Sequence, residues 1–144
     1  MSSATCSTMS SSAGAPLPNA PARPRAVIAG HGAFAEGMIS AVAQVAGLGE
    51  LFVPVTNTGL SPQALEEVLR TALADTGARI IFTDLPAGSC TTVARRIARG
   101  SPGLQVVAGV ALPTLLSFAC GSDLATATAR GRDAIAIVEG AGGA

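Results

Sequence analysis

The chain has 144 residues, is 49% hydrophobic and sets nine basic against nine acidic residues, which fits one domain with a buried core and offers no basic stripe to a nucleic acid. Every basic residue is arginine, which removes lysine Schiff-base chemistry and the lysine of a phosphate-binding Walker loop. Trp and Tyr are absent, so the rings on which sugars commonly stack are missing.

Residues 1–24, MSSATCSTMSSSAGAPLPNAPARP, are rich in Ser, Ala and Pro. They lack the charged and apolar regions of a secretory signal and read as a disordered tail. From Arg25 onward the pattern is that of one folded domain over 25–144. Ala26 to Ala29 is a short apolar run ending in glycine, as in a buried parallel strand. The spacing then predicts a helix over Phe34 to Ala46, closed near Gly47, and a second strand over Leu51 to Val55. Asn57 to Gly59 reads as loop. Ser61-Pro62 is a helix start, with Ser as N-cap and Pro at the first helical position. Leu65, Val68, Leu69, Ala72 and Leu73 continue at helical spacing to a stop at Gly77.

Arg79 to Asp84 predicts a third strand, and the loop Leu85 to Gly88 leads into a helix from Ser89 to Ala98. Gln105 to Val110 predicts a fourth strand. Pro113 to Cys120 starts a helix, and Ser122 is the expected cap of a last one. Ala134 to Val138 is ambiguous between helix and strand. Strands alternating with helices argue for an α/β, doubly wound, mostly parallel open sheet of about four strands with helices on both faces. The right-handed crossover rule and the common strand order predict 2-1-3-4. The longest apolar run, Val106 to Cys120, is too short and too broken to span a bilayer.

Ligands in such sheets bind beyond the carboxyl ends of the strands, where the order reverses. His31, the one histidine of the chain, follows the first strand, and Asp84 ends the third. The predicted order brings the two together. A carboxylate on one ring nitrogen fixes the tautomer and points the other nitrogen outward as a nucleophile, so His31 and Asp84 form a coherent unit. Gly88, Ser89, Cys90 and Thr91 open a helix beside it, whose N–H groups and hydroxyls suit an anion such as a phosphoryl group. Gly30 and Gly32 flank the histidine and leave clearance for a bulky partner. Taken singly, each feature has a plainer reading: a loop histidine, an aspartate capping a loop, an ordinary helix start. The three cysteines form no C-x-x-C, so no metal site is expected, and unpaired thiols suit a reducing compartment. Cys90 gains thiolate character if it lies at the helix terminus, though a packed thiol is the plainer reading. Glu36 reads as a first-turn dipole residue, and Arg95, Arg96 and Arg99 as a solvated face.

Three segments, AVIAGHGAFAEGM, IIFTDLPAGSCTTVARRIA and VVAGVALPTLL, together resemble the enzyme IIA component of the mannose-type sugar phosphotransferase system, the family serving mannose, fructose, sorbose and N-acetylgalactosamine. The resemblance runs from Arg25 to the C-terminus. It implies a cytoplasmic phosphotransferase with no cofactor, metal or nucleotide, and a homodimer. His31 would accept a phosphoryl group from the phosphocarrier HPr and pass it to enzyme IIB, with Asp84 orienting the ring and Ser89 as the loop serine. A membrane complex of IIC and IID then phosphorylates the sugar. Thr83-Asp84-Leu85-Pro86-Ala87-Gly88-Ser89-Cys90 stands closest to the N-acetylgalactosamine and galactosamine branch, while Ala111 replaces an Asn common before Leu-Pro. Some members exchange a C-terminal strand between subunits, for which Ala134 to Val138 is the candidate. A regulatory IIA-like module that signals through the phosphorylation state of His31 is the alternative. A His-dependent hydrolase would need a nucleophile, and Ser89 lacks the G-x-S-x-G elbow.

Overall fold

A computed structural model describes residues 23–140. The expected tail over 1–24 lies outside the described residues except for Arg23 and Pro24, which have no regular structure. Four strands alternate with helices: β1 (Ala26–Gly30), α1 (Phe34–Ala46), β2 (Phe52–Thr56), α2 (Pro62–Thr76), β3 (Ile80–Thr83), α3 (Ser89–Arg99), β4 (Gln105–Val107), α4 (Leu112–Ala119) and α5 (Leu124–Asp133). A short 3-10 turn, Gly49–Leu51, leads into β2. The sheet is parallel throughout, in the order β2-β1-β3-β4, so the predicted class and order both hold.

Side-chain alternation along β1 builds the two faces. Ala26 and Ile28 point into a core shared with Ala35 and Val42 of α1, Leu115 and Phe118 of α4, and Ala127 of α5. Val27 and Ala29 point the other way, onto Leu65 and Leu69 of α2 and Val93 and Ile97 of α3. All four are fully buried, as the central strand of a doubly wound sheet requires. On the first face Phe52, Phe82 and Phe118 meet with ring centroids 5.3 to 6.2 Å apart, within the range favourable for aromatic pairs. Pro54 is tolerated because β2 is an edge strand.

Helix ends follow local chemistry. The Ser61 hydroxyl accepts from Ala64 N at 3.1 Å, and Gly47 and Gly77 close their helices in the left-handed conformation. Two expectations are corrected. Asp123, not Ser122, caps α5, its carboxylate accepting from Thr126 N at 2.7 Å. The Ser122 hydroxyl instead takes part in a cluster with Ser117 (2.8 Å) and Arg130 (3.2 Å). β4 stops at Val107, three residues short of the expected Val110, because Gly109 turns the chain at φ +71. Val110 N then bonds Thr83 O at 3.0 Å, tying this loop to the end of β3. The ambiguous Ala134 to Val138 has no regular structure, and Ile135, Ile137 and Val138 are 79 to 93% exposed. No helix among the described residues is long and apolar enough to cross a membrane.

α4 and α5 approach closely at Gly131, where a Cβ would sit 1.7 Å from Thr114 Oγ1. Overpacking of this kind costs about 1–3 kcal/mol, against a helix-propensity gain of at most about 1 kcal/mol for glycine to alanine. Gly131→Ala should therefore lower the melting temperature, and Thr114→Ala in the same chain should restore part of the loss. A Gly131→Ala variant as stable as wild type in thermal melts would contradict this packing.

Candidate active site

Strand order reverses between β1 and β3: the chain leaves β1 for β2 on one side and β3 for β4 on the other. The residues following these strands face one another across the crevice. A single carboxylate oxygen of Asp84, Oδ2, accepts from the His31 backbone N–H at 2.9 Å and meets His31 Nδ1 at 2.8 Å. An ionised carboxylate can only accept, so Nδ1 carries the ring hydrogen and Nε2 presents its lone pair. Asp84 is nearly enclosed, with 11% of its side chain exposed, whereas His31 is half open at 51%. The ring is thus held from within and accessible from without.

The charge on Asp84 follows from the same contacts. Burial pushes its carboxyl up, but the His31 backbone N–H and ring together hold it below its ordinary value.

The predicted clearance at Gly30 is corrected. A Cβ there would lie 2.7 Å from Phe34 Cδ2 and 3.1 Å from Asp84 Oδ2, so the missing side chain makes room for Asp84 inside the protein. Gly32 does face open space: nothing lies within 4 Å of a Cβ built on it, and its φ of +54 favours glycine.

Across the crevice, α3 starts against the ring. Gly88, its N-cap, has φ +139, and a Cβ there would lie 3.6 Å from His31 Cε1. The first bond of the helix runs from Thr92 N to Gly88 O at 2.9 Å, so the N–H groups of Ser89, Cys90 and Thr91 precede the ladder. Among the hydroxyls and thiol expected to add to this terminus, only that of Ser89 belongs to the crevice. Thr91 is buried, its Oγ1 2.5 Å from Leu85 O and 2.6 Å from Thr83 Oγ1, where it fixes the β3–α3 loop from below. Cys90 is a buried, free thiol packed in the core with Val27 and Ala29. Burial and then the Asp84 charge push it up to about 11, against a lowering contact from Ser89, so it stays protonated, in keeping with the plainer reading of a packed thiol. The expectation of unpaired thiols is met at Cys90 and not at Cys120.

One residue of the site lay unread in a loop. Asn57 donates from Nδ2 to Ser89 Oγ at 2.8 Å, and its backbone N–H bonds Gly30 O at 3.2 Å. The available signal was position: a polar residue just after a strand stands at the same sheet edge as His31. Elsewhere, Glu36 sits in the first turn of α1 as expected. Arg96 reaches Glu66 on α2 at 3.1 Å, while Arg95 and Arg99 are exposed. Among the described residues no three His, Cys, Asp or Glu side chains gather where a metal ion could bind.

An acceptor-held histidine facing a helix N-terminus suits nucleophilic chemistry on an anion. Residues 25–135 match the model of the family described as PTS system fructose IIA component, EIIA-man. The chain belongs to this family. As an EIIA-man protein it is a IIA component of the mannose type, in a family of sugar phosphotransferase proteins. No curated protein matches it in sequence. Among solved structures, the mannose/sorbose specific IIA subunit of the phosphotransferase system from Enterococcus faecalis is 21% identical, with a TM-score of 0.71 over 82% of this chain and 96% of that one. The PTS IIA protein associated with the fucose utilization operon from Streptococcus pneumoniae is 20% identical, with a TM-score of 0.69 over 82% and 95%. The sigma-54 interaction domain protein from Enterococcus faecalis is 16% identical, with a TM-score of 0.59 over 78% and 90%. At these identities the likeness is one of fold.

Because Asp84 is held below its ordinary value of 3.8, its contribution to stability is complete above the unfolded-state value, about 3.9. It is lost as pH falls through the lower, folded-state value. Stability should fall on acidification below about pH 4, and Asp84→Asn should flatten that limb. Urea denaturation between pH 2 and 6 measures it; superimposable slopes for the two chains would remove the Asp84–His31 contact as the cause.

Proposed function

We propose that the chain is a cytoplasmic phosphohistidine carrier that receives a phosphoryl group from HPr on His31 Nε2 and passes it to enzyme IIB, which supplies the membrane IIC and IID components. The observation that carries this reading is the 2.8 Å contact between Asp84 Oδ2 and His31 Nδ1, which leaves Nε2 as the outward nucleophile beside the start of α3. The Nε2 lone pair forms a bond to phosphorus as the P–N bond of the donor phosphohistidine breaks. The electron pair of that bond returns to the donor imidazole, and the Nδ1 hydrogen stays between His31 and Asp84. The second transfer repeats the exchange, with His31 as the leaving group. Phosphoryl transfer asks mainly for positioning and charge stabilisation. Asp84 supplies the first, and also stabilises the ring as it gains positive character. The backbone N–H groups of Ser89, Cys90 and Thr91, with the Ser89 hydroxyl, supply the second. Gly32 leaves the approach to the ring open to successive protein partners. The T-D-L-x-A-G-S-C loop favours an N-acetylgalactosamine-type system.

A homodimer belongs to the same reading. β4 pairs only with β3 among the described residues. Beside it runs a groove of about 530 Å³ lined by Val106, Val107, Leu124 and Thr128. Gln105 and Arg132 line it as well, and the exposed Ile135, Ile137 and Val138 are the apolar segment a second copy would bring to this edge. A second reading, in which the phosphorylation state of His31 is a signal, draws on the fold shared with the sigma-54 interaction domain protein. Transfer onward to a IIB protein separates the two.

With enzyme I, HPr and phosphoenolpyruvate, the wild type should take up one acid-labile, base-stable phosphate, and His31→Ala none. Asp84→Asn should keep the fold and slow transfer about 10- to 100-fold, the loss of a charged hydrogen bond. Full label on His31→Ala would end the proposal. For the dimer, Ile137→Lys should shift the chain toward monomer in sedimentation velocity; an unchanged sedimentation coefficient places the interface elsewhere.

A further inference from the structure

Asn57 has no part in the transfer set out above, yet it joins both walls of the crevice. Its backbone N–H bonds Gly30 O at 3.2 Å, its carbonyl accepts from Leu60 N at 3.1 Å, and its Nδ2 donates to Ser89 Oγ at 2.8 Å. The first contact fixes the loop after β2 against the end of β1, and the second closes the turn within that loop. The third reaches the first residue of α3. A serine hydroxyl has one hydrogen and two lone pairs. With the amide N–H seated on a lone pair, the hydroxyl hydrogen cannot turn back to Asn57. The hydroxyl hydrogen is then left for another acceptor, and a neutral oxygen or sulfur is a modest one. A phosphoryl oxygen is charged and accepts far more strongly.

We propose that Asn57 is a positioning residue: by donating to Ser89 Oγ it aims the Ser89 hydroxyl, as a donor, at a phosphoryl group carried on His31. This rests on the reading of His31 as the phosphoryl carrier. The direction of the hydrogen bond is what matters. An aspartate of the same size at position 57 would accept the hydroxyl hydrogen, reverse Ser89 and turn its lone pairs toward the anion. An alanine would only release the hydroxyl to rotate. Asn57→Asp is therefore worse for transfer than Asn57→Ala, the opposite of what a space-filling or loop-bracing role gives, since aspartate keeps both the volume and a hydrogen bond to Ser89.

The test is single-turnover transfer from radiolabelled phospho-HPr to the full chain, with thermal melts on every variant. Asn57→Ala should slow transfer about fivefold, the loss of one neutral hydrogen bond, and Asn57→Asp should slow it further. In a Ser89→Ala background, Asn57→Ala should have no additional effect, because the hydroxyl it aims is gone. Asn57→Asp no slower than Asn57→Ala, or an Asn57→Ala effect undiminished in the Ser89→Ala chain, overturns the proposal. Label on wild type with unchanged rates in both Asn57 variants overturns it while leaving the carrier reading intact. Absence of label on wild type overturns both.

Discussion

One oxygen atom organises this site. Asp84 Oδ2 takes the backbone N–H and the ring Nδ1 of the same residue, His31, at 2.9 and 2.8 Å. The backbone contact fixes where the residue stands and the ring contact fixes how the imidazole is turned. The remaining degree of freedom, the tautomer, follows from the acceptor-only character of a carboxylate. A ring that could turn freely on a loop becomes a nitrogen of defined direction. The carboxylate stays ionised because these two N–H groups outweigh its burial.

That contact depends on backbone geometry. Asp84 reaches His31 because β1 and β3 are neighbours in the sheet, paired Val27 to Ile81 through Ala29 to Thr83. It fits because Gly30 has no Cβ to compete with Phe34 and the carboxylate. The loop after Asp84 keeps its course through Thr91, whose hydroxyl meets Leu85 O and Thr83 Oγ1. The same buried threonine pair therefore steadies both the end of β3 and the start of α3. Rigid strands supply the register and a short braced loop supplies the helix start that faces the ring, a placement of the kind in which loops held by a scaffold carry function.

Much of this was legible in the sequence. Apolar runs of strand length between Ser-Pro and glycine signals gave the alternation of elements, and the crossover rule converted that alternation into a strand order. The order alone placed His31 beside Asp84 across more than fifty residues of chain. What stayed hidden was the facing of individual side chains. At the start of α3 the sequence offers the hydroxyls of Ser89 and Thr91 alike, and only the packing of that helix on the sheet turns Thr91 inward beside Cys90. A glycine beside a histidine reads equally as outer clearance or inner clearance; the position of Phe34 and Asp84 decides for Gly30. Asn57 was hidden because its partner, Ser89, lies in another crossover. β4 ended early because Gly109 turns the chain at positive φ, a backbone state that a run of valines conceals.

The charges of the chain suit a carrier better than a tight binder of phosphate. Arg25 lies over Phe118, Arg70 and Arg96 share Glu66, Arg79 donates to the Pro102 carbonyl, and Arg130 bonds Ser117 and Ser122. These guanidinium groups are committed to holding helices and loops in place. The groups beside His31 are instead neutral donors, the N–H groups that open α3 and the hydroxyl of Ser89, with one carboxylate behind the ring. A guanidinium fork would bind a phosphoryl group strongly in both bound and transferring states. Uniform binding of that kind does not speed a transfer. In the proposed role, neutral dipoles would offset part of the repulsion between a phosphoryl group and Asp84 without trapping it. In the proposed role the phosphoryl group must arrive from one protein and leave to another with little change in free energy, and a site of dipoles around an oriented imidazole meets that requirement.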